Sequence, residues 1–165
     1  ISTRTGESER FHAAFGQANA GDIDGAMAAL AALSADASSG YGVLADFQQA
    51  ALLVEKGDTD SAAVLYQTIA RDNAANVALS GLANVMGAMV EINAGGYNRA
   101  EMEMRLLAIA EDTHPYRHSA RELLALIALD AGDTTKAREL FTRLGEDQTA
   151  PQGLRKRARQ LSGAN

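Results

Sequence analysis

A glycine and an alanine five residues apart recur along the chain at nearly constant intervals. Successive glycines are separated by 36, 38 and 37 residues, and they are Gly21, Gly57, Gly95 and Gly132. The alanines that follow them are Ala26, Ala62, Ala100 and Ala137. A constant period of about 20 to 50 residues is typical of repeat proteins, in which each repeat is one supersecondary unit. The sequence therefore predicts a single domain, residues 1–165, made of one short repeat array.

Each repeat is predicted to be a helix hairpin. Glycine readily adopts the left-handed conformation that ends a helix, and the Asp that follows it in three of the four copies caps the next helix. The alanine then falls one turn into the second helix, where its small methyl group allows the two helices to pack closely. Larger apolar residues follow Ala137 at helical spacing, namely Leu140, Phe141 and Leu144. In the degenerate third copy, whose turn reads GGYNR, Met104 takes the place of the aromatic residue.

Composition favours helix throughout the chain. The sequence has 34 alanines but 2 prolines, 6 valines and 6 isoleucines, so good helix formers dominate and β-branched residues are scarce. The predicted fold class is all-α, an α-solenoid of four hairpins at about 7–35, 40–71, 76–111 and 115–145 with a C-terminal capping helix at about 152–162. The nine predicted helices cover about 7–20, 22–35, 40–56, 58–71, 76–94, 97–111, 115–131, 133–145 and 152–162.

These helix pairs resemble tetratricopeptide repeats, which have Gly-Asp at the turn, Ala five residues after the Gly and an aromatic residue four after the Ala. Tyr66 and Phe141 fit the aromatic position. A more specific resemblance lies near the C-terminus, in the segments PYRHSARELLAL from Pro115, AGDTTKARELF from Ala131 and APQGLRKRA from Ala150. These segments are similar to bacterial tetratricopeptide-like proteins related to the ancillary subunit of the Sec translocon, the YfgM-like family. The resemblance extends over roughly residues 6 to 162.

The resemblance implies a function without catalysis. Members of that family have one N-terminal transmembrane helix and a repeat domain on the periplasmic side of the inner membrane. They act as adaptors or chaperone-like partners in protein export, so the implied partners are translocon subunits or exported clients. The sequence begins at Ile1 and contains no apolar stretch of roughly 20 residues, so we expect the anchor to be missing here and this fragment to be soluble. Membrane contact is expected only through that anchor.

The repeat register predicts a surface for a protein partner. In a stack of helix hairpins the first helix of each pair lines the concave face. Lys, Arg and Asn, which would clamp a terminal carboxylate, are missing from the predicted positions, so an apolar groove for a helix or an unfolded segment is favoured. The candidate partner-binding residues are Phe11, Phe15, Phe47, Ala51, Val54, Val85, Met89, Leu126 and Leu129.

Two alternatives to a client groove remain open at the level of sequence. The apolar stripe could fold into a closed core, because apolar residues at helical spacing usually serve packing. The chain could also form a structural homodimer through its N-terminal hairpin, where Phe11 and Phe15 have no preceding repeat. At the other end, one apolar face of the last helix is suited to cap the fourth hairpin, and it consists of Leu154, Ala158 and Leu161.

Sequence patterns that would indicate catalysis, metal binding or nucleic-acid binding are weak in this chain. The net charge of −6 and the pI near 5.0 argue against nucleic-acid binding, and the absence of Cys excludes thiolate metal sites and Cys nucleophiles. His114, His118 and Glu122 have the i, i+4, i+8 spacing of a metal site, but Pro115 is predicted to start the helix and to leave His114 outside it. We therefore predict no enzyme, no metal and no cofactor.

Overall fold

The computed structural model of the chain describes residues 3–163, and this part is helical without strands. Every predicted helix is present, with ends that differ by at most three residues from those expected. The helices are α1 (Arg4–Asn19), α2 (Ile23–Asp36), α3 (Tyr41–Glu55), α4 (Thr59–Asp72), α5 (Val77–Ala94), α6 (Arg99–Ile109), α7 (Arg117–Asp130), α8 (Thr134–Glu146) and α9 (Gln152–Ser162). The all-α class predicted from the sequence is confirmed.

Five of the described helices begin with the same Asp or Asn cap. The side chain of the capping residue accepts a hydrogen bond of 3.0–3.1 Å from the backbone N–H three residues later, and the caps are Asp22, Asp58, Asn76, Asn98 and Asp133. Three of these Asx residues follow a glycine with φ between +75° and +88°, namely Gly21, Gly57 and Gly132. Such a cap stabilises a helix by about 1 kcal/mol because it satisfies an otherwise unpaired N–H.

Four of these helices, α2, α4, α6 and α8, bury side chains at the same distances from the cap. These positions lie four, eight and eleven residues after the cap, and each of their side chains is at most 6% exposed. The buried residues are Ala26, Leu30 and Leu33 in α2; Ala62, Tyr66 and Ile69 in α4; Met102, Leu106 and Ile109 in α6; and Ala137, Phe141 and Leu144 in α8.

The third copy differs from the sequence expectation. Ala100 is exposed and Met102 is buried, while Leu106 occupies the aromatic position instead of Met104, which is 67% exposed. The cause is the longer turn, because the cap lies three residues after Gly95 and one residue after each of the other three glycines. The predicted close approach at Ala100 was therefore wrong, and a bulkier Met side chain lies at this position of α6.

The chain divides into two compact units, Ile1–Asn73 and Ala74–Asn165, each with its own core. We call them unit 1 and unit 2. In unit 1, α1 and α3 both pack against α2, and contacts join the start of α1 to the start of α3. Glu7, near the start of α1, is fully buried and accepts hydrogen bonds from Ser38 and Ser39 just before α3. The end of α3 is tied back to the start of α2 by the 2.6 Å pair between Lys56 and Asp24.

In unit 2 the core forms two clusters. One lies among α5, α6 and α7 and includes Val85, Met102, Leu106 and Ile127. The other joins α7, α8 and α9 and consists of Ala125, Ala128, Ala137, Phe141, Leu144, Ala150, Leu154 and Ala158. Leu154 and Ala158 of the predicted apolar face of α9 are buried in this second cluster, whereas Leu161 is 48% exposed and does not belong to it.

Helix α5 is the longest of the described helices, with 18 residues. By length and composition it could cross a membrane, and 28% of that segment is buried within the structure. Apolar core helices of soluble proteins satisfy the same criterion. The buried residues of α5 include Gly81, Val85 and Ala88, of which Val85 and Ala88 belong to the core of unit 2.

Candidate functional site

Unit 1 carries an exposed apolar stripe on α3. Leu44 is 46% exposed and Val54 is 39% exposed, and Ala51 between them is also exposed. Phe47 completes the i, i+3, i+7, i+10 spacing and is partly buried, with its ring 6.2 Å from that of Tyr66 on α4. Residues at this spacing lie on one side of a helix. The stripe therefore spans about three helical turns.

Phe15 on α1 is a further exposed large apolar residue of unit 1. The ring of Phe11 lies 5.8 Å from that of Tyr41 at the start of α3. Phe15 lies one turn after Phe11, on the same side of α1. It is 44% exposed. We refer to Phe15, Leu44, Phe47, Ala51 and Val54 together as the unit 1 apolar surface.

The structure separates the predicted partner-binding residues into exposed and buried ones. Phe11 is partly buried against the core of unit 1. In unit 2, Met89 and Leu129 are 45% and 42% exposed, whereas Leu126 is partly buried between the two core clusters. Val85 is 4% exposed and packs in the core, so it is not available to a partner.

Leu44 was missed by the sequence analysis. Its signal was present, because it precedes Phe47 by three residues and so extends the stripe of Phe47, Ala51 and Val54 by one turn. A register based only on the recurring spacing of one alanine in each hairpin does not extend to this additional turn. The structure identifies Leu44 as the most exposed large side chain of the surface.

Unit 2 contains a cavity of about 500 Å³ between α6, α7 and α8. Its apolar lining comes from Leu107, Ala110, Leu124, Leu140 and Leu144, and its charged lining from Asp112, Arg121, Arg143 and Asp147. Both arginines are engaged, since Arg121 pairs with Asp112 and Arg143 pairs with Glu139, each at 2.6 Å. The cavity therefore offers no uncompensated cation to an anionic ligand.

Beside this cavity a polar cluster holds the link between α8 and α9. His118 on α7 is 7% exposed, and its Nε2 lies 3.3 Å from Thr149 Oγ1. Its Nδ1 lies 3.4 Å from Asp147 Oδ2, while Thr149 Oγ1 donates to the other carboxylate oxygen of Asp147 at 2.7 Å. Burial, reinforced by the nearby Arg117 charge, lowers the pKa of His118. The hydrogen bonds from Thr149 lower the pKa of Asp147.

The three residues considered for a metal site have different partners. His114 Nδ1 accepts a hydrogen bond from the backbone N–H of Tyr116 at 3.0 Å. Glu122 accepts two hydrogen bonds, of 2.9 and 3.0 Å, from Arg157 on α9. Within residues 3–163 no group of three or more His, Cys, Asp or Glu side chains converges in a way that could hold a metal ion.

No family model, no curated protein and no solved structure matches the chain.

Proposed function

We propose that the protein is a non-catalytic interaction scaffold built of tetratricopeptide-like hairpins, and that it acts as a membrane-anchored periplasmic adaptor or chaperone-like partner of the protein export machinery. The hairpin class is supported by the common burial register that α2, α4, α6 and α8 show relative to their caps. The cellular role is supported by the C-terminal sequence motifs.

The observation that carries the proposal is the exposure of the unit 1 apolar surface. Phe15, Leu44 and Val54 are large apolar side chains, and each is between 39% and 46% exposed. Several large apolar side chains that remain exposed in one compact unit are a mark of an interaction site in a folded protein. Each such side chain that a partner buries contributes roughly 1.5–3 kcal/mol before the cost of ordering the complex. A polypeptide segment of a translocon subunit or exported client is the proposed occupant.

Photo-crosslinking in the native cell tests this proposal. A photoreactive residue at position 44 of the full-length protein is expected to give adducts with export components or exported clients. Val64 on α4 serves as the control position, because it is 62% exposed but lies outside the unit 1 apolar surface. Adducts of the same kind and yield from both positions would show that the surface has no special role.

A structural homo-oligomer is the second candidate, and the exposure of Phe15 favours it. Light scattering of the wild type and of Phe15→Asp separates the two functions. The scaffold proposal expects the same molar mass for both proteins. A wild-type dimer that dissociates in Phe15→Asp would assign this surface to self-association, and a crosslink from position 44 to a second copy would agree with that result.

A further inference from the structure

Unit 1 carries a strong net negative charge. Residues 1–73 contain four Lys and Arg against ten Asp and Glu, whereas residues 74–165 contain eleven of each. The whole net charge of −6 therefore lies in unit 1. A field of one sign around an apolar surface selects partners of the opposite sign and repels those of the same sign.

The basic residues of unit 1 do little to balance this charge. Three of its four basic side chains already have an acidic partner: Arg10 with Asp36 at 3.0 Å, Lys56 with Asp24 at 2.6 Å and Arg71 with Asp72 at 3.0 Å. Apart from the helix caps Asp22 and Asp58, the acids of the unit that show no ion pair with any of the described residues include Glu9, Asp46, Glu55 and Asp60.

One of these acids lies at the edge of the apolar surface. Glu55 is exposed, directly follows Val54 and lies four residues after Ala51, so it continues the same side of α3. A segment lying along the stripe would therefore meet apolar side chains over about 15 Å of α3 and a carboxylate at its end. This length matches about three turns of an amphipathic helix with apolar residues at i, i+3 or i+4, and i+7.

We infer that the unit 1 apolar surface binds a basic amphipathic helix, with apolar side chains on the α3 stripe and Lys or Arg side chains toward the acids of unit 1. The inference rests on the proposed function and specifies the chemistry of the partner. A second copy bound through the same surface is a poor occupant, because two units of charge −6 would face each other.

Three synthetic helical peptides test the inference on the purified protein. They share the same Leu and Phe positions and differ at the remaining positions, which carry Lys, Gln or Glu. By fluorescence anisotropy at low salt, the Lys peptide is expected to bind at least roughly tenfold more tightly than the Glu peptide. The difference is expected to shrink as ionic strength rises from about 0.05 to 0.5 M, since the Debye length then falls severalfold.

Protein variants separate the apolar from the electrostatic part of the binding. Leu44→Ser removes an exposed apolar side chain without changing charge, and it is expected to weaken binding of all three peptides. Glu55→Lys is expected to weaken binding of the Lys peptide alone. Its matched control is Glu146→Lys, the same change at an exposed acid of unit 2, which is expected to leave binding within about twofold. Circular dichroism verifies that each variant stays folded.

The outcomes distinguish the inference from the proposed function. Equal binding of the Lys, Gln and Glu peptides, lost in Leu44→Ser, would overturn the charge preference and keep the apolar interaction site. Tighter binding of the Glu peptide would also overturn it. Binding of none of the peptides, or binding unchanged in Leu44→Ser, would overturn the inference together with the assignment of the unit 1 apolar surface as an interaction site.

Discussion

At the scale of single residues, the side chains around Gly81 leave no room for a larger residue. It is buried within α5, and a Cβ added there would lie 2.5 Å from Cε1 of His114 and 3.2 Å from Cδ2 of Tyr116. Both contacts are to aromatic rings, which cannot yield as a flexible side chain does. A glycine inside a helix otherwise costs about 1 kcal/mol relative to alanine, so close packing explains its presence.

We predict that Gly81→Ala lowers the free energy of unfolding by about 1–3 kcal/mol through overpacking. The matched control is Gly16→Ala in α1, where nothing lies within 4 Å of the added Cβ. That variant is expected to raise the free energy of unfolding by up to about 1 kcal/mol through helix propensity. Urea denaturation measures both, and an equal gain in the two variants would contradict the packing explanation.

His118 is expected to make stability depend on pH. Burial holds the pKa of its imidazole below the ordinary value of about 6.5, so the folded protein binds a proton less readily than the unfolded chain. The stabilisation is therefore complete above about pH 6.5 and is lost as pH falls through the lowered folded pKa. Arg117 and Arg121 oppose protonation, while the carboxylate of Asp147 favours it.

We predict that His118→Gln reduces the loss of stability between about pH 7 and pH 5 that the wild type shows in urea titrations. The relevant quantity is the slope of the free energy of unfolding against pH, because the substitution also changes packing. Burial lowers the pKa of His114 as well, so part of the slope is expected to remain. Identical slopes in the wild type and the variant would show that His118 does not titrate differently in the folded state.

At the scale of the elements, α9 is held by one part of its apolar face. Leu154 is 5% exposed in the cluster with Phe141 and Leu144, whereas Leu161 near the end of the same helix is 48% exposed. Polar contacts add to this anchoring. Arg157 pairs with Glu122 on α7, and Arg159 Nε donates to the backbone carbonyl of Gly145 in α8 at 3.1 Å.

We predict that Leu154→Ala destabilises the protein by about 2–5 kcal/mol, because it leaves a cavity between α8 and α9. Leu161→Ala, the same substitution two turns later, is expected to change the free energy of unfolding by less than about 0.5 kcal/mol. Thermal and urea denaturation of the pair measure the difference. A similar cost for both variants would mean that the end of α9 packs against the protein in solution.

At the scale of the whole molecule, the cores are separate. The clusters of unit 2 are built from residues of α5 to α9 and the link before α9, and the cluster of unit 1 from α1, α2 and α3. A unit of this size with its own buried side chains is large enough to fold, although with small stability.

We therefore predict that a fragment of residues 74–165 retains most of its helical signal and melts cooperatively when followed by far-ultraviolet circular dichroism. The corresponding Leu154→Ala fragment is the control, and its melting temperature is expected to fall by several degrees. A fragment that melts gradually over a broad range would show that the core of unit 2 depends on residues 1–73.

The sequence by itself determined the helices and their ends. Glycine at a helix end, Asp or Asn at the next cap and apolar residues at helical spacing act within a few residues, so they identified all the described helices without knowledge of the tertiary structure. The same local signals failed at the third copy, where two additional residues in the turn moved the buried position from Ala100 to Met102.

The tertiary structure decided which apolar residues are accessible. Val85 and Met89 both fit the predicted stripe of α5, yet one is 4% and the other 45% exposed. The contact of His118 with Asp147 likewise joins α7 to the link before α9. Exposure and such contacts depend on the helices that pack around a residue, and helical periodicity gives the side of its own helix on which a residue lies but not the neighbour that covers it.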